Sequence, residues 1–237
     1  MFVGILFSGL VSLVIAIFSV LTFTSHYKAD SRYAGQSVLS FSFFWFGMAF
    51  VWLIIASMDF FRYFKIQEAA IVGTYCSQAL IGASLVVAAY FMQETIFIKR
   101  RRKTALMVYG IWYALFLASL FTFKVQPQPA NYFAAQIISS PVTLSLFTIG
   151  FFPLWIGAIV LFVRSILNKK LLAEPLCRAQ MLMGLSLILL GIAGAIDETG
   201  IVYGWMVTAA RLVTLIASIV AYSSVNGLRK QDEMIIE

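Results

Sequence analysis

Arg211 is the residue whose chemistry asks most of its surroundings, because it lies inside the long apolar run from Gly200 to Tyr222 and a guanidinium keeps its charge at any ordinary pH. In a helix starting near residue 201 it is ten residues in, roughly 15 Å from one end and close to the bilayer midplane. A charge there costs about 2.5–3.5 kcal/mol on insertion scales unless it faces the bundle, a partner or water. Gly204, Thr208, Arg211, Thr214, Ser218 and Tyr222 recur at steps of three and four, so they share one arc of about 120°. We expect that polar stripe to face the bundle interior. Asp197 and Glu198, in the tight link before the seventh helix, are the first carboxylates to consider as partners, with Asp59 and Glu68 at neighbouring helix ends. Asp197 should lie opposite about residue 204, an axial gap to Arg211 of roughly 10 Å that a long side chain can shorten. On the third helix Thr74, Ser77, Gln78 and Ser84 share a similar arc. Hydroxyls can bond back to their own helix, whereas the Gln78 amide needs a partner elsewhere. The chemistry these residues allow is an outward-opening pocket that takes a small anionic or zwitterionic ligand. Arg211, Gln78, Thr208, Thr214, Asp197 and Glu198 are its expected binding residues. The competing reading is an interhelical network that only fixes packing.

Other chemistries are poorly supplied. His26 is the only histidine, so neither bis-histidine haem ligation nor a histidine-rich zinc site can be built from this chain alone, and no cofactor is expected. Cys76 and Cys177 are expected on opposite sides of the bilayer, too far apart for an internal disulfide. Cys177 could accept an acyl chain beside the membrane, although an inert thiol is the preferred reading. There is no Gly-rich phosphate loop, nucleophile elbow or two-histidine metal helix, and the acids sit near helix ends without a neighbouring nucleophile, so an enzyme is not expected. Asn131, Asn168 and Asn226 lack the hydroxyl residue an N-glycosylation site needs.

The elements that must position these residues are membrane helices. Of the 237 residues, 62% are apolar and only 11% charged, and the mean hydropathy is +0.94, which no soluble domain shows. Apolar windows place helices at about 2–24, 37–60, 67–97, 104–124, 141–167, 178–197 and 201–224, an all-α seven-helix integral membrane bundle forming one domain over 1–237. The first window has no basic residue before it and no small-residue cleavage site after it, so it reads as a retained helix. One set of alternate connections holds Lys28, Arg32, the run from Lys99 to Lys103, Arg164, Lys169, Lys170, Arg178, Arg229 and Lys230; the other holds Arg62, Lys65 and Lys124. The bias predicts an outside N-terminus, a cytoplasmic C-terminus and a multi-pass place in the cell membrane. It also explains the +7 net charge without nucleic acid, since the basic residues form no common face.

Several further expectations follow. Tyr63, Tyr109, Tyr132, Tyr203, Trp205 and Tyr222 suit an interfacial belt. The Lys99–Lys103 run should attract anionic membrane lipid and offers a place for a cytoplasmic partner. Pro127 and Pro129 favour an extended segment in the long connection, about residues 125–140. Pro153 should kink the fifth helix, and Gly184, Gly191, Gly194 and Ala195 give the sixth a surface for close approach. The stretch from Phe41 to Phe46 reads as lipid-facing bulk, and the chain after Asn226-Gly227 as a short tail.

Seven helices with the N-terminus outside are similar in arrangement to retinal proteins, but the lysine that would hold the pigment is missing from 201–224. The arrangement is also similar to the membrane-sensor halves of bacterial signalling proteins, with no motif that names one. The two halves show no internal repeat of the transporter kind. The expected function is therefore a receptor-like or sensory membrane module that binds a small ligand or lipid and acts through separate cytoplasmic or intramembrane protein partners. The alternatives are a small transporter or channel subunit, or an accessory subunit that sets Arg211 against a larger complex.

Overall fold

A computed structural model describes residues 2–28, 35–95, 102–123, 126–127, 137–138, 140–167, 174–198 and 204–236. Seven helices carry the fold: α1 (Phe2–Lys28), α2 (Gly35–Tyr63), α3 (Gln67–Thr95), α4 (Arg102–Thr122), α5 (Pro141–Leu167), α6 (Glu174–Glu198) and α7 (Gly204–Ile236). All seven are long and apolar enough to cross a membrane. This is a multi-pass membrane protein. In the α4–α5 connection, β1 (Gln126–Pro127) and β2 (Ile137–Ile138) pair antiparallel, Gln126 opposite Ile138, which gives the Pro127 segment its extended form. The Lys99–Arg101 part of the basic run, and Tyr132 and Tyr203, lie outside the described residues.

Local chemistry sets the helix ends. Ser140 caps α5: its hydroxyl accepts the Thr143 amide at 3.1 Å, while Pro141 takes the first helical position, where a missing N–H costs nothing. Pro175 likewise falls in the first turn of α6, so that helix begins at Glu174, four residues before the expected 178. Between α2 and α3 the chain turns in three residues. The Ile66 amide donates to the Phe61 carbonyl at 2.8 Å and the Lys65 amide to Arg62 at 3.0 Å, the paired bonds of a left-handed helix cap. Lys65 holds φ at 62°, a conformation glycine adopts at less cost. Lys65→Gly is therefore expected to stabilise the protein by about 0.5–1 kcal/mol, read as a higher melting temperature; a lower one would show that the lysine side chain matters more than its backbone strain.

Packing order follows from the contacts. The helices α1, α2, α3, α5, α6 and α7 close a ring in which each packs on the next and α7 returns to α1, while α4 sits outside against α3 and α5. More than half of the α2 span is buried, 56%, against 22% for α4 and α5, whose remaining surfaces carry residues such as Met107, Ile111, Leu115, Ile149 and Val163 that suit lipid. Because α2 packs closely on both α1 and α3, the Phe41–Phe46 stretch is not simple lipid-facing bulk. Phe41, Ser42, Phe44 and Trp45 are core residues, and only Phe43 and Phe46 are exposed. Phe41 packs on Phe91 of α3 with ring centroids 5.0 Å apart.

Indole and phenol donors stitch the outer helix to the ring. Trp112 of α4 donates to the Leu146 carbonyl at 2.7 Å, and Tyr109 to the Gly150 carbonyl at 3.3 Å. Pro153 removes the amide that would bond the Ile149 carbonyl, and the Tyr109 bond falls on the adjacent carbonyl, that of Gly150. Tyr109 is thus a helix-to-helix tie, and Tyr222 stacks on Phe18 of α1 at 4.7 Å. The small residues of α6 divide. A side chain on Gly184 would meet the Phe162 amide nitrogen at 2.9 Å, so α5 and α6 touch backbone to backbone there, whereas Gly194 has nothing within 4 Å. Cys177 is buried and bonds to the Ser165 carbonyl at 2.7 Å, which favours the inert thiol over an acylation site. Lastly, α7 does not stop at Asn226-Gly227 but continues to Ile236.

Candidate functional site

The polar stripe of α7 faces inward. Arg211, Thr214 and Ser218 are buried and Thr208 is half-buried. Among the described residues α7 begins at Gly204 and its apolar span at Met206, so Arg211 is five residues into that span, about 8 Å. Its depth matches that of Asp59, four residues before the end of the α2 span. The two form an ion pair, Arg211 Nη2 donating to Asp59 Oδ2 at 3.1 Å, with both side chains 4% exposed. Ser8 of α1, fully buried, donates to the same oxygen at 3.5 Å. One charge-assisted contact thereby ties α2 and α7 across the face of α1 between them. Two charges of opposite sign this close in a dry layer make each other tolerable, where either alone would not be.

Arg62 lies one helical turn beyond Asp59, half-buried, and is attracted by the same carboxylate. Of the four acids considered from the sequence, Asp59 pairs with Arg211. Asp197 and Glu198 close α6, and their side chains lie outside the described residues. Glu68 sits in the first turn of α3 and is exposed, in the place where a carboxylate favours the helix dipole.

Beneath the ion pair the ring of helices does not close completely. A cavity of about 100 Å³ is lined by α2, α3, α5, α6 and α7. Its upper margin includes Ile55 and Thr214, each one turn from Asp59 and Arg211 respectively, and it is walled by Met48, Leu85, Phe151 and Leu187. Gly194 opens onto it with no neighbour filling the place of a side chain. No charged residue lines it. Thr214 bonds to its own helix at the Ala210 carbonyl, 3.0 Å, and Trp155 to the Ile188 carbonyl at 3.4 Å. Trp52, 5% exposed, also lines it, and its indole Nε1 is buried without a hydrogen-bond partner. Apolar cavities of this kind stay dry; one of about 150 Å³ takes up benzene.

Of the residues singled out from the sequence, Arg211 and Asp59 meet in the ion pair and Thr214 lies at the cavity margin one turn away. Gln78 is buried on α3 with Thr74, Ser77 and Ser84, but it does not line the cavity. Thr74 and Ser77 both approach the Met58 sulfur, at 4.0 and 3.9 Å. Trp52 was missed, for an indole in an apolar helix gives no sequence signal of where its N–H points. No group of metal-ligating side chains occurs among the described residues. Comparison with protein-family models, with curated proteins and with solved structures finds no match for the chain.

Proposed function

We propose that this chain is a receptor-like or sensory seven-helix module of the cell membrane, with its N-terminus outside and C-terminus in the cytoplasm, which takes a small apolar ligand or part of a lipid into its central cavity and acts through separate protein partners. The observation that carries this reading is the cavity itself: five helices converge on unfilled apolar space one turn below a buried ion pair. In a well-packed interior each such void forfeits contact energy, so its retention is expected where something fills it. A ligand there would touch α2, α3, α5, α6 and α7 together, and a change in their packing reaches the opposite end of the bundle through rigid helices.

The Arg211 charge is answered by Asp59 within the chain, so the ligand favoured is neutral and not the anion that an uncompensated guanidinium would select. The same pairing counts against the accessory-subunit alternative, in which Arg211 would need a partner outside the chain. A transporter would be supported by a repeat or by helices broken at the site, and each described helix lining the cavity is continuous.

The test is thermal melting of the purified protein against uncharged ring compounds such as benzene and cyclohexane, and against organic anions and amino acids. Neutral compounds should raise the melting temperature in proportion to the logarithm of their concentration above saturation, and the anions should not. Stabilisation by anions alone would return the site to Arg211 and remove the cavity from the account.

A further inference from the structure

A second unfilled space lies on the outside of the bundle, at the end that carries the basic connections. It is a groove of about 500 Å³ lined by α2, α3 and Leu106 of α4. The groove begins at one membrane face: Leu39 is the second residue of the α2 span, Tyr90 lies three residues before the end of the α3 span, and Leu106 three residues after the start of the α4 span. It ends near Gly47 and Leu80, eight residues along α2 and ten along α3, so it is about 12–15 Å long. That is half of a hydrocarbon core about 30 Å thick, the depth of one leaflet. Phe43, 51% exposed, and Leu106, 40% exposed, leave its outer side open to the membrane.

We infer that this groove is a lipid site, in which one acyl chain of an anionic phospholipid lies along α2 and α3 while the headgroup phosphate sits beside Lys103. The central cavity plays no part in it. Apolar space at this depth stays dry, and left empty it forfeits dispersion contacts along its whole length, so a hydrocarbon chain is its natural filling. Charge chooses which lipid. Lys103 is exposed and stands three residues before Leu106 on the same face of α4. Its stem can lie along the mouth of the groove while the ammonium reaches the headgroup layer. Between Tyr90 and Leu106 the sequence carries five basic residues, Lys99 to Lys103, against one acid, Glu94. A second copy of the chain, inserted the same way up, would bring a like excess to that end and be repelled, whereas an anionic headgroup is attracted.

Native mass spectrometry of the purified protein in detergent, titrated with phosphatidylglycerol and with phosphatidylcholine of identical chains, tests this. The wild type should bind one phosphatidylglycerol at least about fivefold tighter than phosphatidylcholine, the ratio that about 1 kcal/mol from one surface lysine gives. Lys103→Gln should lower the affinity for phosphatidylglycerol about fivefold and leave that for phosphatidylcholine unchanged. Ala83→Leu, which puts a larger side chain into the groove, should remove the tight adduct. Ala118→Leu, the same change at an exposed position of α4 outside the groove, should not. Equal affinities for the two lipids in the wild type, or a ratio unmoved by Lys103→Gln, would overturn the headgroup assignment. Ala83→Leu behaving like Ala118→Leu would overturn the groove as the site, and a wild-type dimer that Ala83→Leu breaks would show that a second copy fills it instead. Should Ala83→Leu fail to fold, Leu106→Ala takes its place: trimming this exposed wall residue should weaken both lipids severalfold, and no change would overturn the groove.

Discussion

Asp59→Leu is expected to lower the free energy of unfolding by about 3–5 kcal/mol, because it leaves a guanidinium 3% exposed with its ion-pair carboxylate removed. Arg211→Leu should cost less. With Arg211 gone the Asp59 carboxyl can take up a proton and become neutral, whereas with Asp59 gone the Arg211 guanidinium cannot shed one. The double variant, Asp59→Leu with Arg211→Leu, should recover most of the loss, since replacing a buried pair by apolar residues of similar size is often neutral or better. Denaturation of all four proteins in the same lipid or detergent gives the coupling energy directly. If the two single changes simply add, the contact at 3.1 Å contributes nothing and the α2–α7 tie is a packing accident. The order of the two single variants is a separate check: an Arg211→Leu protein less stable than Asp59→Leu would mean that Arg211 contributes more through its other contacts than through Asp59.

The same substitution placed twice on α6 should have effects of opposite sign. Gly184→Leu should destabilise by about 1–3 kcal/mol or more, since the new side chain meets the Phe162 amide nitrogen at 2.9 Å and the Ala158 carbonyl oxygen at 3.0 Å, and backbone atoms cannot rotate away. Gly194→Leu should be stabilising by up to about 1 kcal/mol, because leucine is the better helix former and its side chain enters space that nothing occupies. The contrast is measured as two melting temperatures on either side of the wild type. Two decreases of similar size would mean that the space beside Gly194 is not open in the folded protein.

The outline of the fold was legible where strong local signals coincide. Pro141 preceded by Ser140 marks the start of α5, and its apolar run ends where expected, so residues 141–167 agree at both ends. The inward polar stripe of α7 was readable because Thr208, Arg211, Thr214 and Ser218 repeat with the helical period. Other features depend on which helix faces pack together. Phe41, Phe44 and Trp45 look like lipid-facing bulk until α2 is seen to pack on both α1 and α3, because in a bilayer the inside of a bundle and its outside are equally apolar. Asn226-Gly227 looked like a stop, yet α7 continues through it, since a helix leaving the apolar span tolerates one weak residue pair. Asp197 came first by chain proximity; the ring of helices, with α1 between α2 and α7, brings residues 59 and 211 together as no sequence distance suggests. The cavity had no signature at all: it exists because the side chains around Gly194 and Thr214 fall short of one another, which is a property of packing and not of pattern.

The most direct test of the central claim is equilibrium binding of benzene to the protein in lipid nanodiscs, wild type against Gly194→Leu, corrected for benzene held by empty nanodiscs. The account predicts one saturable site per chain in the wild type and its loss when the leucine occupies the space beside Gly194. Identical binding curves for the two proteins, or no saturable component in either, would contradict it.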